Sequence, residues 1–280
     1  MSGAAKRPDR VRTPYVEQLA ERLSSRDWMI LNTLDRLRLA TGPQLERLHF
    51  SELTGRSRSV KRGQVLKQLV GVGAIVPLER RIGTANRGSA QQRYALDSGG
   101  RRLLRLRATD ESLEARVRRP RIPSDRLTKH TLAVSELYVE LVERSHVDGF
   151  SLGDFQVEGN AYWPDGFGGW MKPDAFVRLE SGKTIDYWWY EADMPRHDSD
   201  LANESLPTIR SKCLAYLDFV RRGQLGPDDV VPRVAIGEPS ARQRDAVQAV
   251  VDALPAPAEF LFTVAELGKV AQIMLGELAK

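Results

Sequence analysis

Arg116-Val117-Arg118-Arg119-Pro120-Arg121-Ile122-Pro123 puts two prolines and four arginines into eight consecutive positions. Proline lacks the amide hydrogen that helices and sheet ladders use, and it pushes the preceding residue out of the helical region. No helix continues through such a stretch, so the chain is expected to fold as two bodies, one on each side. Its 280 residues are enough for two, and a hydrophobic content of 41% can supply both with a core. The expected division is a basic tail over 1–24, a first domain over 25–107, a linker over 108–126 and a second domain over 127–280.

Charge follows the same division. Residues 1–126 hold 27 Lys or Arg against 13 Asp or Glu, whereas residues 127–280 hold 15 against 24. The net +5 of the chain is thus the remainder of a basic half and an acidic half. A basic half rich in Arg suits a polyanion, and double-stranded DNA is the expected partner.

The first half reads as a winged helix-turn-helix. Ser24 and Ser25 precede a helix whose apolar residues Ile30, Leu31, Leu34 and Leu37 fall on one face. Thr41 looks like the N-cap of a short second helix, with Pro43 in its first turn. A third helix is expected over 57–70, with Val60, Val65, Leu66, Leu69 and Val70 inward and Arg58, Lys61, Arg62, Gln64 and Lys67 on the other faces. Gly71 and Gly73 end it. Strands at 74–78 and 92–96 flank a Gly- and Arg-rich tip, the wing, and a helix capped by Ser98 follows. In this architecture the third helix enters the major groove and the wing lies along the phosphates. The expected DNA contacts are Arg58, Lys61, Arg62, Gln64, Lys67, Arg80, Arg81, Arg87 and Arg93. DNA binding of this kind requires no cofactor.

The second half alternates differently. A periodic helix over 128–144 precedes strands at 151–158, 172–179 and 184–191, the last dense in aromatic residues. A helix over 206–222, a strand at 232–236, a helix over 241–254, a strand at 259–263 and a helix near 266–278 complete it. The whole is α+β, with an α/β mixed sheet in the second domain. Asp174 opens one strand and Glu191 closes the next, so a hairpin around Gly182 makes them cross-strand neighbours. Two carboxylates held together need a proton or a cation, and Mg²⁺ is the usual ion for such a pair.

Taken together, these segments resemble the replication-relaxation family of actinobacterial plasmids and mobile elements. The resemblance runs over about residues 25–223. It rests on Arg26-Asp27, Arg36-Leu37-Arg38-Leu39-Ala40-Thr41, Gly88-Ser89 before Tyr94-Ala95-Leu96, His130-Thr131-Leu132, Lys172-Pro173-Asp174-Ala175 and Glu191-Ala192-Asp193. The Pro-Asp and Glu-x-Asp pair resembles the core of the PD-(D/E)xK nucleases, which implies metal ligands at Asp174 and Glu191 with Glu136 from the preceding helix. Active nucleases of that fold place Lys where this chain has Asp193. Lys212 on the following helix would replace it if its side chain points back at the strand ends, and the catalytic set would then be Asp174, Glu191 and Lys212. Lys172 sits beside Asp174, so alternation sends it to the other face.

The resemblance implies a DNA-binding accessory protein acting in replication or conjugative transfer at an origin-like site. Its implied partners are a relaxase, a replication initiator or a DNA translocase, and a homodimer stays open. The first alternative is a Mg²⁺-dependent endonuclease of the PD-(D/E)xK type; the second is a winged-helix transcriptional regulator. With Asp193 in the lysine position, the expectation is that the chain does not cleave DNA. Other chemistries find no support. His49, His130, His146 and His197 lack ligand spacing, the single Cys213 excludes an internal disulfide, and no phosphate-binding glycine loop is present. No apolar run spans a membrane, and residues 1–12 are basic without an apolar stretch, so the cytoplasm is the expected compartment. Trp163, Trp170, Trp188 and Trp189 are expected in the core or as loop anchors rather than as base-stacking platforms.

Overall fold

The computed structural model describes residues 13–78, 92–108, 124–182, 184–194 and 206–278. These residues divide between Ser124 and Asp125 into two compact units.

The first unit is helical with a small sheet. It runs α1 (Thr13–Arg22), α2 (Ser25–Leu37), β1 (Ala40–Thr41), α3 (Gly42–His49), α4 (Gly55–Gly71), β2 (Ile75–Leu78), β3 (Arg93–Leu96) and α5 (Ser98–Arg107). Two helix starts are fixed by reciprocal side-chain caps. The Ser24 amide donates to Asp27 Oδ2 at 2.9 Å, and the Thr41 amide donates to Gln44 Oε1 at 2.8 Å. The core joins Ile30, Leu31 and Leu34 of α2 to Leu45 of α3, Leu66 and Leu69 of α4, and Leu103 of α5. The strands form an antiparallel sheet in the order β1-β3-β2. At the start of α5, Gly99 and Gly100 lie against the carbonyls of Gly73 and Ala74, where any side chain would strike backbone.

Several expectations change here. Residues 13–22, read as part of a basic tail, form α1, whose Val16 and Leu19 are buried in the core. Val60, assigned to the inner side of α4, is 48% exposed, because the buried line of that helix passes through Leu66 and Leu69. Asp97, not Ser98, caps α5 by accepting from the Ser98 amide at 2.7 Å. β1 was not anticipated, since two residues are too short to show an alternation. The tip expected as a wing, with Arg80, Arg81 and Arg87, lies outside the described residues.

His49 closes α3 against α2, with its Nε2 3.0 Å from Thr33 Oγ1. Burial, and then the positive charge of Arg26, lower its pKa to about 4. The folded chain therefore resists protonating His49 while the unfolded chain accepts the proton near pH 6.5. Stability is present above pH 6.5 and is lost as the pH falls toward 4. His49→Gln is expected to remove roughly 1–2 kcal/mol of this acid sensitivity. Denaturant unfolding of the full chain and the variant at pH 7 and pH 4.5 measures it, and an equal loss in both would exclude His49 as the source.

The second unit runs α6 (Asp125–Asp148), β4 (Ser151–Val157), β5 (Trp163–Pro164), β6 (Trp170–Met171), β7 (Ala175–Ser181), β8 (Thr184–Ala192), α7 (Leu206–Arg221), β9 (Arg233–Glu238), α8 (Ala241–Asp252), α9 (Ala258–Leu261), β10 (Phe262–Glu266) and α10 (Val270–Leu278). Five strands make a mixed sheet in the order β10-β9-β8-β7-β4. β4, β7 and β8 are antiparallel; β8, β9 and β10 are parallel. Gly182, at φ +58°, makes the tight β7–β8 turn.

Alternation sorts the two faces. Phe176, Trp189, Val234 and Ile236 pack against Ile209, Cys213, Tyr216 and Leu217 of α7 and Val247 and Val251 of α8. Val177, Trp188 and Tyr190 point the other way, where α6 and α10 meet the sheet. Trp188 and Trp189 are fully buried, Trp163 packs on Phe176 and Trp189, and Trp170 is half exposed. The strand expected at 259–263 is instead α9 followed by β10. The run Phe260-Leu261-Phe262 is uniformly apolar, so periodicity could not place the break. The strand expected from Lys172 starts at Ala175, after the small β5–β6 hairpin. Among the described residues, no helix is long and apolar enough to cross a membrane.

Candidate functional site

The β7–β8 register pairs Ala175 with Tyr190, so Asp174 and Glu191 face each other one step beyond that pair. They lie at the end of the sheet, on the side of Phe176 and Trp189, and α7 passes over them. α7 contributes two side chains one turn apart. Lys212 Nζ donates to Glu191 Oε2 at 2.6 Å, and the Tyr216 hydroxyl donates to Glu191 Oε1 at 2.6 Å. Residues four apart share a helix face, which is why both reach one carboxylate. Asp174 Oδ2 accepts from the Ala192 amide at 2.8 Å and lies 2.8 Å from His130 Nε2 of α6.

The electrostatics follow from this arrangement. Burial, and then the nearby charge of Asp174, push Glu191 up to about 7. Burial also works against the charge on Asp174, yet the His130 hydrogen bond and Lys212 hold its pKa below the ordinary value. His130 is raised by its bond to Asp174. Burial opposes the charge on Lys212, but Glu191 and Asp174 outweigh it and raise the pKa. The pair of acids is thus balanced by a lysine and a histidine. Cys213, beside Lys212 on α7, is buried, and its thiol is pushed up to about 12, which removes it as a nucleophile.

Asp174, Glu191 and Lys212 come together, with Lys212 pointing back at the strand ends. Glu136 sits mid-helix on α6, and the α6 side chain that reaches Asp174 is His130. Three of the four carboxylate oxygens of the pair carry protein partners, so a divalent ion held there would have to displace Lys212. Among the described residues, no three His, Cys, Asp or Glu are grouped so as to hold a metal ion. Sequence reading missed the roles of His130 and Tyr216. The four-residue spacing of Lys212 and Tyr216 was an available signal for the second.

In the first unit, Lys61, Gln64 and Lys67 are exposed along one side of α4. Arg58 and Arg62 turn instead toward α3. Arg62 Nη1 lies 2.8 Å from Glu46 Oε2, and Arg58 Nη2 donates to the Glu46 carbonyl at 3.1 Å. Arg93 is half buried on β3, opposite Leu78 and Thr41.

The chain is therefore a mixed α+β protein in which a mixed sheet carries a buried carboxylate pair, neutralised by lysine and histidine, at one end. It belongs to the replication-relaxation family, whose model matches residues 31–234. No curated protein and no solved structure matches the chain at a significant level.

Proposed function

We propose that the chain is a double-stranded DNA-binding accessory protein of a plasmid or other mobile element, acting in replication or conjugative transfer at an origin-like site. In this reading the first unit is a winged helix-turn-helix, with α4 in the major groove and the β2–β3 hairpin along the backbone. The second unit is a PD-(D/E)xK nuclease-like body that serves assembly or DNA contact rather than cleavage. A relaxase, a replication initiator or a DNA translocase is the protein partner that such a site would bring. The observation that carries the reading is the exposed stripe of Lys61, Gln64 and Lys67 on α4, within a half that holds 27 of the 42 basic residues. Arg58 and Arg62 then act by holding α4 against Glu46, which orients the stripe.

A second reading, the Mg²⁺-dependent endonuclease, is favoured by the contact between Lys212 and Glu191. Against it stands Asp193, a carboxylate where positive charge is needed beside the attacked phosphate. One experiment separates the two. Supercoiled plasmid is incubated with the full chain in Mg²⁺ or Mn²⁺, then resolved with and without protease treatment. The plasmid is expected to shift but to return intact, and Lys61→Ala with Lys67→Ala is expected to weaken the shift about tenfold. Nicking or linearisation that disappears in Asp174→Ala would replace this reading with the endonuclease.

A further inference from the structure

One strand over from the Asp174–Glu191 pair lies a second pair of acids that the site does not use. β8 and β9 are parallel and in register at Ala192 and Gly237, and the Asp193 amide donates to the Gly237 carbonyl at 3.0 Å. The next matched positions are Asp193 and Glu238. Matched residues on parallel strands point to the same face, and Glu191 is matched with Ile236, which packs under α7 and α8. Two residues further on, Asp193 and Glu238 project from that same face, at the carboxyl ends of both strands.

Glu238 has 0% of its surface exposed, and neither of its carboxylate oxygens has a hydrogen-bond partner among the described residues. Asp193 Oδ2 is also buried without a hydrogen-bond partner among the described residues, although the Met194 amide donates to the same carboxylate group. Buried acids are ordinarily hydrogen-bonded or paired, because an ionised carboxylate stripped of water and partners is costly. Here three unpartnered oxygens belong to two neighbouring acids. Burial, and then the charge of Asp193, push Glu238 up to about 8, and burial raises Asp193 as well. Lys212, although bonded to Glu191, and then Arg126 offset part of this at Asp193, whereas Glu238 is acted on by burial and by Asp193.

We propose that Asp193 and Glu238 form a divalent-cation site that takes Mg²⁺ or Mn²⁺, with water filling the remaining positions. Only oxygen donors are offered, which suits a hard ion that keeps much of its hydration rather than zinc. The two acids supply the negative charge, and the ion supplies a partner for the three open oxygens. The site is distinct from Asp174 and Glu191, three of whose four oxygens are engaged by Lys212, Tyr216, His130 and the Ala192 amide. It is also independent of whether the first unit binds DNA.

The test is a Mn²⁺ titration of the full chain, followed by the loss of free-ion paramagnetic resonance signal and by the unfolding temperature. One Mn²⁺ is expected to bind per chain and to raise the unfolding temperature. Glu238→Gln is expected to weaken binding by about tenfold or more and to abolish that rise. Glu238→Gln keeps the size of the side chain and removes a buried acid, so its unfolding temperature without metal should equal or exceed that of the parent. Asp174→Asn should keep the ion. Absence of binding, binding unchanged in Glu238→Gln, or binding lost in Asp174→Asn but kept in Glu238→Gln would each overturn the assignment.

Discussion

Replacing Lys212 with methionine is expected to destabilise the full chain by about 3 kcal/mol at pH 8 in a chelating buffer. Lys212 Nζ is bonded to Glu191 Oε2, and the Glu191 side chain is only 8% exposed. Removing the cation pushes Glu191 up further, so at pH 8 it either stays charged, buried and next to Asp174 or takes up a proton at a cost, with Tyr216 as its remaining donor. Losing one partner of a buried pair costs more than the pair is worth, because the other charge stays behind without compensation. The low end of the usual range applies, since the lysine side chain is 52% exposed and water reaches it. The pH dependence has a definite sign. Glu191 titrates at about 7 in the parent, raised by burial and then by Asp174. Below that pH it takes up a proton and needs no cation, so the loss should shrink by pH 5. Glu191→Gln in the same chain should recover most of the stability, because a neutral amide needs no counter-charge. Denaturant unfolding of the parent, each single variant and the double variant closes the cycle. A Lys212→Met chain as stable as the parent at pH 8 would mean that the contact contributes little.

What could be read in the sequence, and what could not, follows from the range of the interactions. The β7–β8 hairpin was legible because its signals are local: short runs of apolar and aromatic residues, a Gly at the turn and an acid at each open end. The register then places Asp174 opposite Glu191 without further assumptions. Lys212 could be anticipated only through the nuclease resemblance, as the substitute for the lysine expected where Asp193 stands. The other partners come from distant elements. His130 lies 44 positions before Asp174, and only the packing of α6 brings it there. Glu238 depends on a parallel register set after a whole helix has intervened, and its isolation is invisible until burial is known.

The first unit teaches the same lesson about charged side chains. Arg58 and Arg62, expected on the outer faces of α4, stand two turns and one turn before Leu66, on the line that runs on to Leu69, and both are half buried. The spacing shows which side they take but not what meets them there. Glu46 on α3 decides that, leaving Lys61, Gln64 and Lys67 as the exposed polar stripe. The helix α1 was hidden for a different reason. Its basic surroundings suggested a solvated tail, although Val16, Leu19 and Leu23 repeat at helical spacing and pack on the core.

The proposed function requires the first unit to hold duplex DNA through its basic surface. Replacement of phosphate counterions by Lys and Arg makes such binding depend steeply on salt, with a logarithmic slope of about −0.9 per phosphate contacted. A surface with about six contacts should lose about a thousandfold in affinity between about 50 and 200 mM salt. Lys61→Ala with Lys67→Ala should make the slope shallower by about two contacts and leave the fold intact. Fluorescence anisotropy of a labelled duplex, titrated with the full chain at four salt concentrations, is the direct measurement. A steep slope that flattens in the double variant is the predicted result. No binding at low salt, or an affinity indifferent to salt and to both lysines, would contradict it.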